Sequence, residues 1–428
     1  MIAWLLISFF VLLFLGVPIA MSLGLSAIGG ILFLGGGSTV TIAQRMFEGM
    51  NSFALLAIPL YTFAGFTMSK GGISKRLMDF CYSIVGHIYG GLAHVNVLSS
   101  MIFAGISGSA VADTAGVSGM FMPEMVRKGY SKNFTVAVTA ISSTIGIIIP
   151  PSIPMVVIAG ICGISTGKLF LGGIIPGVLC GLAQMIVSYF MAKKEGVPKE
   201  PGHFTIGPVL HGLWESWPAL LMPIIIYGAI YGGFCTVTEA GAVSCVYGIL
   251  YFAVLKIINK KKIQITFWRC CAIAGASTAV IGLLNAFSAV AGKVMTLAGI
   301  SSFLSNQITA NISSRWGFLL MINILFIFMG TFMDINATIL IMTPLLLPVA
   351  QTYGISTVHF GAIMLVNMCV GFLTPPFAVG IFVSTKIAHS TFGETVKEAI
   401  PFMGVGLIAI LVTTLCPQYI NFFVNLLA

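Results

Sequence analysis

Charge is what this chain of 428 residues has least of: 7% of its residues are Asp, Glu, Lys or Arg, against about 25% in a soluble domain. A soluble protein of this size would lack the polar side chains to cover its surface. Disorder is excluded too, because disordered segments combine low hydrophobicity with high charge. Here 58% of residues are hydrophobic and the mean hydropathy is +1.07. No two of the nine cysteines form a CxxC pair, and most lie inside apolar runs, so they read as small membrane-helix residues and not as a disulfide or metal framework. No Walker A, HExxH or GxSxG pattern occurs, which argues against ATP hydrolysis and leaves no visible nucleophile–base pair for an enzyme. The alternating ten-residue segments of a membrane β-barrel are also missing. The apolar start at Ile2 has no basic flank or cleavage site and reads as a first span.

What the chain has is apolar run after apolar run. At about 20 residues per crossing, its length allows roughly ten spans. The net charge of +9 comes from 20 Lys and Arg against 11 Asp and Glu. These basic residues fill short gaps, so they set topology in a bilayer and do not indicate nucleic acid. One gap holds Lys193, Lys194 and Lys199; another holds Lys256, Lys260, Lys261, Lys262 and Arg269. Arg127, Lys128 and Lys132 form a third cluster, and Lys70, Lys75 and Arg76 a fourth. With all four cytoplasmic, run 91–126 must enter and return without crossing. It reads as a re-entrant hairpin with a glycine-rich tip at Gly105–Ser109. Run 316–351 has the same shape, with its tip at Gly330–Thr331. Both termini then face away from the cytoplasm.

An internal repeat points the same way. At an offset of 225, Gly105 falls on Gly330, Pro123 on Pro348, Gly146 on Gly371 and Pro150-Pro151 on Pro375-Pro376. Upstream the offset is 227, where Ala64-Gly65 meets Ala291-Gly292 and Gly72-Ile73-Ser74 meets Gly299-Ile300-Ser301. An odd number of crossings separates the copies, so they are inverted, as in secondary transporters with interrupted helices. The fold class is therefore an all-α polytopic membrane protein: about ten spanning helices, two re-entrant hairpins and two broken helices. Residues 1–192 form the first inverted repeat, 193–212 a cytoplasmic linker and 213–428 the second repeat. Amphipathic stretches 73–90 and 300–316 suit helices at the interface, each carrying a hairpin.

The chemistry is expected where the spans break. Ile149-Pro150-Pro151-Ser152 interrupts run 133–164, and Thr374-Pro375-Pro376-Phe377 interrupts run 358–388. Proline frees carbonyls, and in a membrane these are tolerated only where protein, water or an ion satisfies them. Each break should face its own hairpin tip, giving two oxygen-rich cages suited to Na⁺. We assign Gly105, Ser107, Gly146 and Ile149 to one cage, and Gly330, Thr331, Asp334, Gly371 and Thr374 to the other. Ser109, Asp113, Ser142, Ser143, Asn336 and Asn367 are assigned to the substrate, with helix N-termini aimed at an anion. Buried Asp113 and Asp334 are functional candidates by default. Thr331-x-x-Asp334 also reads as a capping box, so Asp113 and Asp334 each either cap or steady a hairpin tip or couple a cation. Thr236-x-x-Glu239 reads as a structural capping box.

On these residues the chain resembles the large membrane subunit of tripartite ATP-independent periplasmic (TRAP) transporters. The resemblance rests on Ser107-Gly-Ser-Ala-Val-Ala-Asp113-Thr-Ala, Ile149-Pro-Pro-Ser-Ile-Pro154, Glu239-Ala-Gly-Ala-Val243, Met329-Gly-x-x-Met333-Asp334 and Thr374-Pro-Pro376, and spans nearly the whole chain. Val237 departs from it where Pro is frequent, and Asn336-Ala337 departs where some members have Thr-Pro. The resemblance implies Na⁺-driven uptake by an elevator motion in the bacterial inner membrane. It also implies two partners, a small four-helix membrane subunit and a periplasmic substrate-binding protein. The expected cargo is an organic acid of the C4-dicarboxylate or sialic-acid class. The rival readings are a Na⁺–carboxylate elevator working alone and an ion-channel subunit.

Overall fold

The structure, a computed structural model, describes residues 2–33, 38–69, 74–197, 199, 203–258, 267–376, 378–388 and 390–427. Lys70, Gly72, Ile73, Lys260, Lys261, Lys262 and Phe377 lie outside the described residues. The described chain is helical and contains no strand. The first half holds α1 (Ile2–Phe14), α2 (Ile19–Phe33), α3 (Thr39–Met50), α4 (Ala57–Met68), α5 (Ser74–Val85), α6 (Gly91–Ser107), α7 (Ala110–Arg127), α8 (Lys132–Ser143), α9 (Ile153–Cys162) and α10 (Thr166–Lys194). The second half holds α11 (Ile206–Tyr231), α12 (Val237–Ile258), α13 (Phe267–Leu297), α14 (Ile300–Asn311), α15 (Arg315–Phe332), α16 (Ile335–Thr352), α17 (Thr357–Gly371), α18 (Val379–Ala388), α19 (Phe392–Leu415) and α20 (Pro417–Leu427).

Local chemistry explains where these helices start and stop. Ser131 and Ser356 cap α8 and α17, each hydroxyl accepting the N–H three residues on, at 3.2 Å. The starts of α7 and α16, and of α8 and α17, stand at the offset of 225 noted in the sequence. Gly108, at φ +64°, turns the chain between α6 and α7. A side chain there would run into the Pro151 carbonyl. The expected capping box at α12 is present: Glu239 Oε2 accepts the Thr236 N–H at 2.8 Å, and Thr236 Oγ1 accepts the Glu239 N–H at 3.3 Å.

The second hairpin corrects the sequence reading. Its turn lies at Met333–Asp334, not at Gly330–Thr331, which lie in the last turn of α15. Thr331 opens no capping box; its hydroxyl donates back to the Phe328 carbonyl at 2.8 Å. Asp334 is itself the N-cap of α16, its Oδ1 accepting the N–H groups of Asn336 at 2.9 Å and Ala337 at 3.3 Å. Gly330 serves packing instead. A Cβ on Gly330 would stand 3.0 Å from Gly371 Cα, so α15 and α17 touch backbone to backbone.

The breaks fall where the prolines put them. After α8 the chain makes a 3-10 turn over Thr144–Ile147 and resumes as α9. Pro151 cannot donate to the Ile147 carbonyl; Ser152 Oγ does so, at 2.7 Å, and also caps α9. The Pro150–Pro151 and Pro375–Pro376 peptides are both cis. Among the described residues seven helices are long and apolar enough to cross a bilayer, or eight counting α3 with α4, which meet at a 55° bend. The expectation was about ten. The seven include the hairpin arms α15 and α16, while α1, α2, α9 and α17 are apolar pieces of 10 to 15 residues, each shorter than the roughly 20 residues a crossing needs.

Candidate functional site

The two hairpin turns meet at one cavity of about 210 Å³. Ser107 to Ala110 line it from the first turn, and Asp334 to Asn336 from the second. The start of α9 contributes Ile153 and Pro154, and the second break contributes Phe372. The N-terminal ends of α7, α9 and α16 therefore converge on one space. Helix N-termini carry partial positive charge, which favours an anion. The first turn is tied to the first break, because the Ile153 N–H donates to the Gly108 carbonyl at 3.2 Å. Tyr227 of α11 donates its hydroxyl to the Pro150 carbonyl.

Behind the first turn lies Asp113, fully buried. Ser107 Oγ donates to its Oδ1. Its Oδ2 has no hydrogen-bond partner among the described residues and lies against Gly146, where any Cβ would collide with it. Pro150 has no N–H to give the Gly146 carbonyl, so the carboxylate and a proline-freed carbonyl belong to the same junction. Asp113 was assigned to the substrate; the structure instead groups it with Ser107 and Gly146, behind the cavity. Gly105 and Ile149 pack: a Cβ on Gly105 would lie 3.2 Å from Pro223 Cγ, and the Ile149 side chain fills the space left by Gly177.

At the second junction backbone meets backbone. A Cβ on Gly371 would stand 2.7 Å from the Ile327 carbonyl oxygen and 2.8 Å from Gly330 Cα. Thr331 and Thr374 donate their hydroxyl protons to the Phe328 and Val370 carbonyls, at 2.8 and 2.7 Å. A hydroxyl that donates its proton can still accept or ligate through its oxygen lone pairs. The counterpart of Asp113 here is Thr338, which is buried and neutral.

Three polar residues assigned to the substrate sit elsewhere. Ser142 joins a buried ladder between α6 and α8: Asn96 Nδ2 donates to Thr139 Oγ1 at 2.7 Å, Ser142 Oγ to Asn96 Oδ1 at 3.0 Å, and Ser100 Oγ to Ser142 Oγ at 3.0 Å. Ser143 accepts the Thr114 hydroxyl at 2.6 Å. Asn367 Nδ2 donates to Asn323 Oδ1 at 2.7 Å, and Asn323 Nδ2 to Thr414 Oγ1 at 3.0 Å. Ser109 and Asn336 do line the cavity. Sequence reasoning missed its other wall, Thr62 and Phe66 of α4 with Ser277 and Ile281 of α13. Nothing distinguishes these residues from others in their apolar runs.

Comparison with known proteins agrees with this architecture. Residues 6–419 match the family described as tripartite ATP-independent periplasmic transporter, DctM component. The chain is 37% identical over 415 residues to the isethionate TRAP transporter permease protein DctMQ of Oleidesulfovibrio alaskensis, covering 97% of this chain and 65% of that longer one. It is 37% identical over 399 residues to the C4-dicarboxylate TRAP transporter large permease protein DctM of Pseudomonas aeruginosa, 92% of each chain. Among solved structures, the Alcanivorax borkumensis YdaH transporter matches with a TM-score of 0.62, over 89% of this chain and 88% of that one, at 13% identity, a likeness of fold alone. The relatives are named as transport permeases, not as enzymes. This multi-pass membrane protein belongs to the DctM family, the large permease component of TRAP transporters.

Proposed function

We propose that the chain is the transport subunit of a Na⁺-coupled secondary transporter that imports an organic acid. The observation that carries this reading is Asp113, a buried carboxylate with one oxygen unpartnered, wedged against Gly146. An uncompensated charge at such depth is costly. Ser107, Asp113 and the Gly146 carbonyl offer only hard oxygen donors, which fit an alkali cation. Na⁺ bound there would neutralise the carboxylate and add the energy of its gradient to transport. Backbone oxygens with Thr331 and Thr374 form the second candidate, and Asp334 faces the cavity from its rim. Between them Ser109 and Asn336 contact the acid, and the three helix N-termini stabilise its negative charge.

The two halves act as inverted repeats. Both hairpins and both broken helices move as an elevator, and α4 and α13 supply the static wall of the cavity. The chain lies in the bacterial inner membrane with both termini periplasmic. A small four-helix membrane subunit and a periplasmic binding protein complete the system. Support for the partners comes from family membership. Support for an anionic cargo comes from relatives named for isethionate and C4-dicarboxylates.

Uptake into proteoliposomes tests the whole reading. We expect accumulation of one acid from a panel of C4-dicarboxylates, sialic acids and isethionate. It should require both partners and an inward Na⁺ gradient, without ATP. Full uptake with either partner left out would refute the tripartite reading in favour of a transporter working alone.

A further inference from the structure

Pro344 lies inside α16. It has no N–H, so the Leu340 carbonyl four residues back loses its helical donor. Leu340 is buried, and in a membrane interior an unsatisfied carbonyl is costly. The donor comes from another helix: Ser288 Oγ of α13 reaches the Leu340 carbonyl at 3.0 Å. A hydroxyl in mid-helix ordinarily folds back onto its own helix. Thr278 and Thr296, in this same α13, do so onto Ala274 and Gly292, at 2.7 and 2.8 Å. Ser288 instead spends its proton across the interface.

The surroundings leave room for this contact to open. Beside it is a crevice of about 240 Å³, lined by Asn285, Ser288 and Gly292 of α13 and by Leu340 and Pro344 of α16. Ser277 and Ile281, on the same helix, line the substrate cavity. Positions 277, 281, 285, 288 and 292 follow helical spacing, so one face of α13 runs from the cavity past the contact into the crevice. The equivalent positions of the first half differ. At the repeat offsets Pro344 falls on Gly119, which keeps its N–H, and Ser288 falls on Tyr61, which donates to the Val237 carbonyl at 2.8 Å.

We propose that Ser288 is a positioning residue for transport. Its hydrogen bond to the carbonyl freed by Pro344 holds the second hairpin at this station along α13, and the bond must open for the hairpin to slide. This rests on the elevator reading above. Breaking the bond depopulates the present arrangement without touching the cavity or the cation junctions.

The test uses Ser109→Cys in a Cys-depleted, otherwise complete protein reconstituted with its partner subunits. A membrane-impermeant maleimide is applied from the cytoplasmic side, in Na⁺ and in K⁺. The ratio of labelled to protected protein should change between the two ions. Adding Ser288→Ala should shift that ratio by about fivefold, the worth of one hydrogen bond. Ser288→Thr, which keeps the hydroxyl, should restore it. Pro344→Ala returns an N–H to the Leu340 carbonyl and should make Ser288→Ala silent. No shift with Ser288→Ala, or the same shift with and without Pro344, overturns the latch alone. Labelling that never changes between Na⁺ and K⁺ in the Ser288 protein overturns the elevator reading and the latch with it.

Discussion

Asp113→Asn is expected to abolish Na⁺-dependent uptake while leaving expression and assembly intact. The carboxylate is fully buried, one oxygen takes the Ser107 hydroxyl, and the other faces Gly146 without a partner. Removing one member of a buried ion pair costs about 3–5 kcal/mol, so apparent Na⁺ affinity should fall at least about a hundredfold. Asn is nearly isosteric, so packing is kept and the loss reports charge. Asp334→Asn provides the contrast. Asp334 caps α16 through Oδ1 and is exposed at the cavity. Asn is as good a cap as Asp, so any loss there also reports charge. A rim carboxylate should cost about tenfold in Na⁺ affinity, or roughly 1.4 kcal/mol. Sodium titrations of initial uptake rates compare the two. Near-normal affinity in Asp113→Asn would remove the cation from the first junction, and near-normal affinity in Asp334→Asn would leave that residue as a cap.

The second large effect is steric. Gly371→Ala would bring a methyl group to 2.7 Å from the Ile327 carbonyl oxygen and 2.8 Å from Gly330 Cα. Both obstacles are backbone, so relief requires α15 and α17 to separate, and such overpacking typically costs about 1–3 kcal/mol. The displaced parts are the second break and the arm of its hairpin, so uptake should fall to background. Gly146→Ala should act similarly by driving its methyl into the Asp113 carboxylate, with the Na⁺ affinity loss of Asp113→Asn. Gly275→Ala in α13 is the control, because nothing lies within 4 Å of its added methyl. Uptake by Gly371→Ala equal to that of Gly275→Ala would show that the close approach of the two glycines is not needed for function.

These glycines also show how much could be read from residues alone. The first hairpin turn was legible because Gly108 is needed there for its backbone conformation, inside the stretch named from composition. The second was placed three residues early because Gly330 looked like a turn residue. Its missing side chain serves helix contact, and Asp334 makes the turn by capping. Polarity alone did not locate the cavity either: Ser142, Ser143 and Asn367 do not line it. A polar residue in an apolar run must be satisfied by something: here neighbouring helices bond Ser142, Ser143 and the Asn367 amide nitrogen, while Asn367 Oδ1 has no partner among the described residues. The proline breaks were legible because proline acts on the backbone locally, whatever packs around it. The cavity wall from Thr62 and Ser277 was not, because it exists only once α4 and α13 are set against the hairpins.

The most direct test of Na⁺ coupling is the dependence of initial uptake rate on external Na⁺ in proteoliposomes holding the complete transporter. Two oxygen-lined junctions, one at each break, predict a steep rise with an apparent order above one and no uptake when Na⁺ is replaced by K⁺. Full uptake driven by a proton gradient in Na⁺-free buffer would contradict the account.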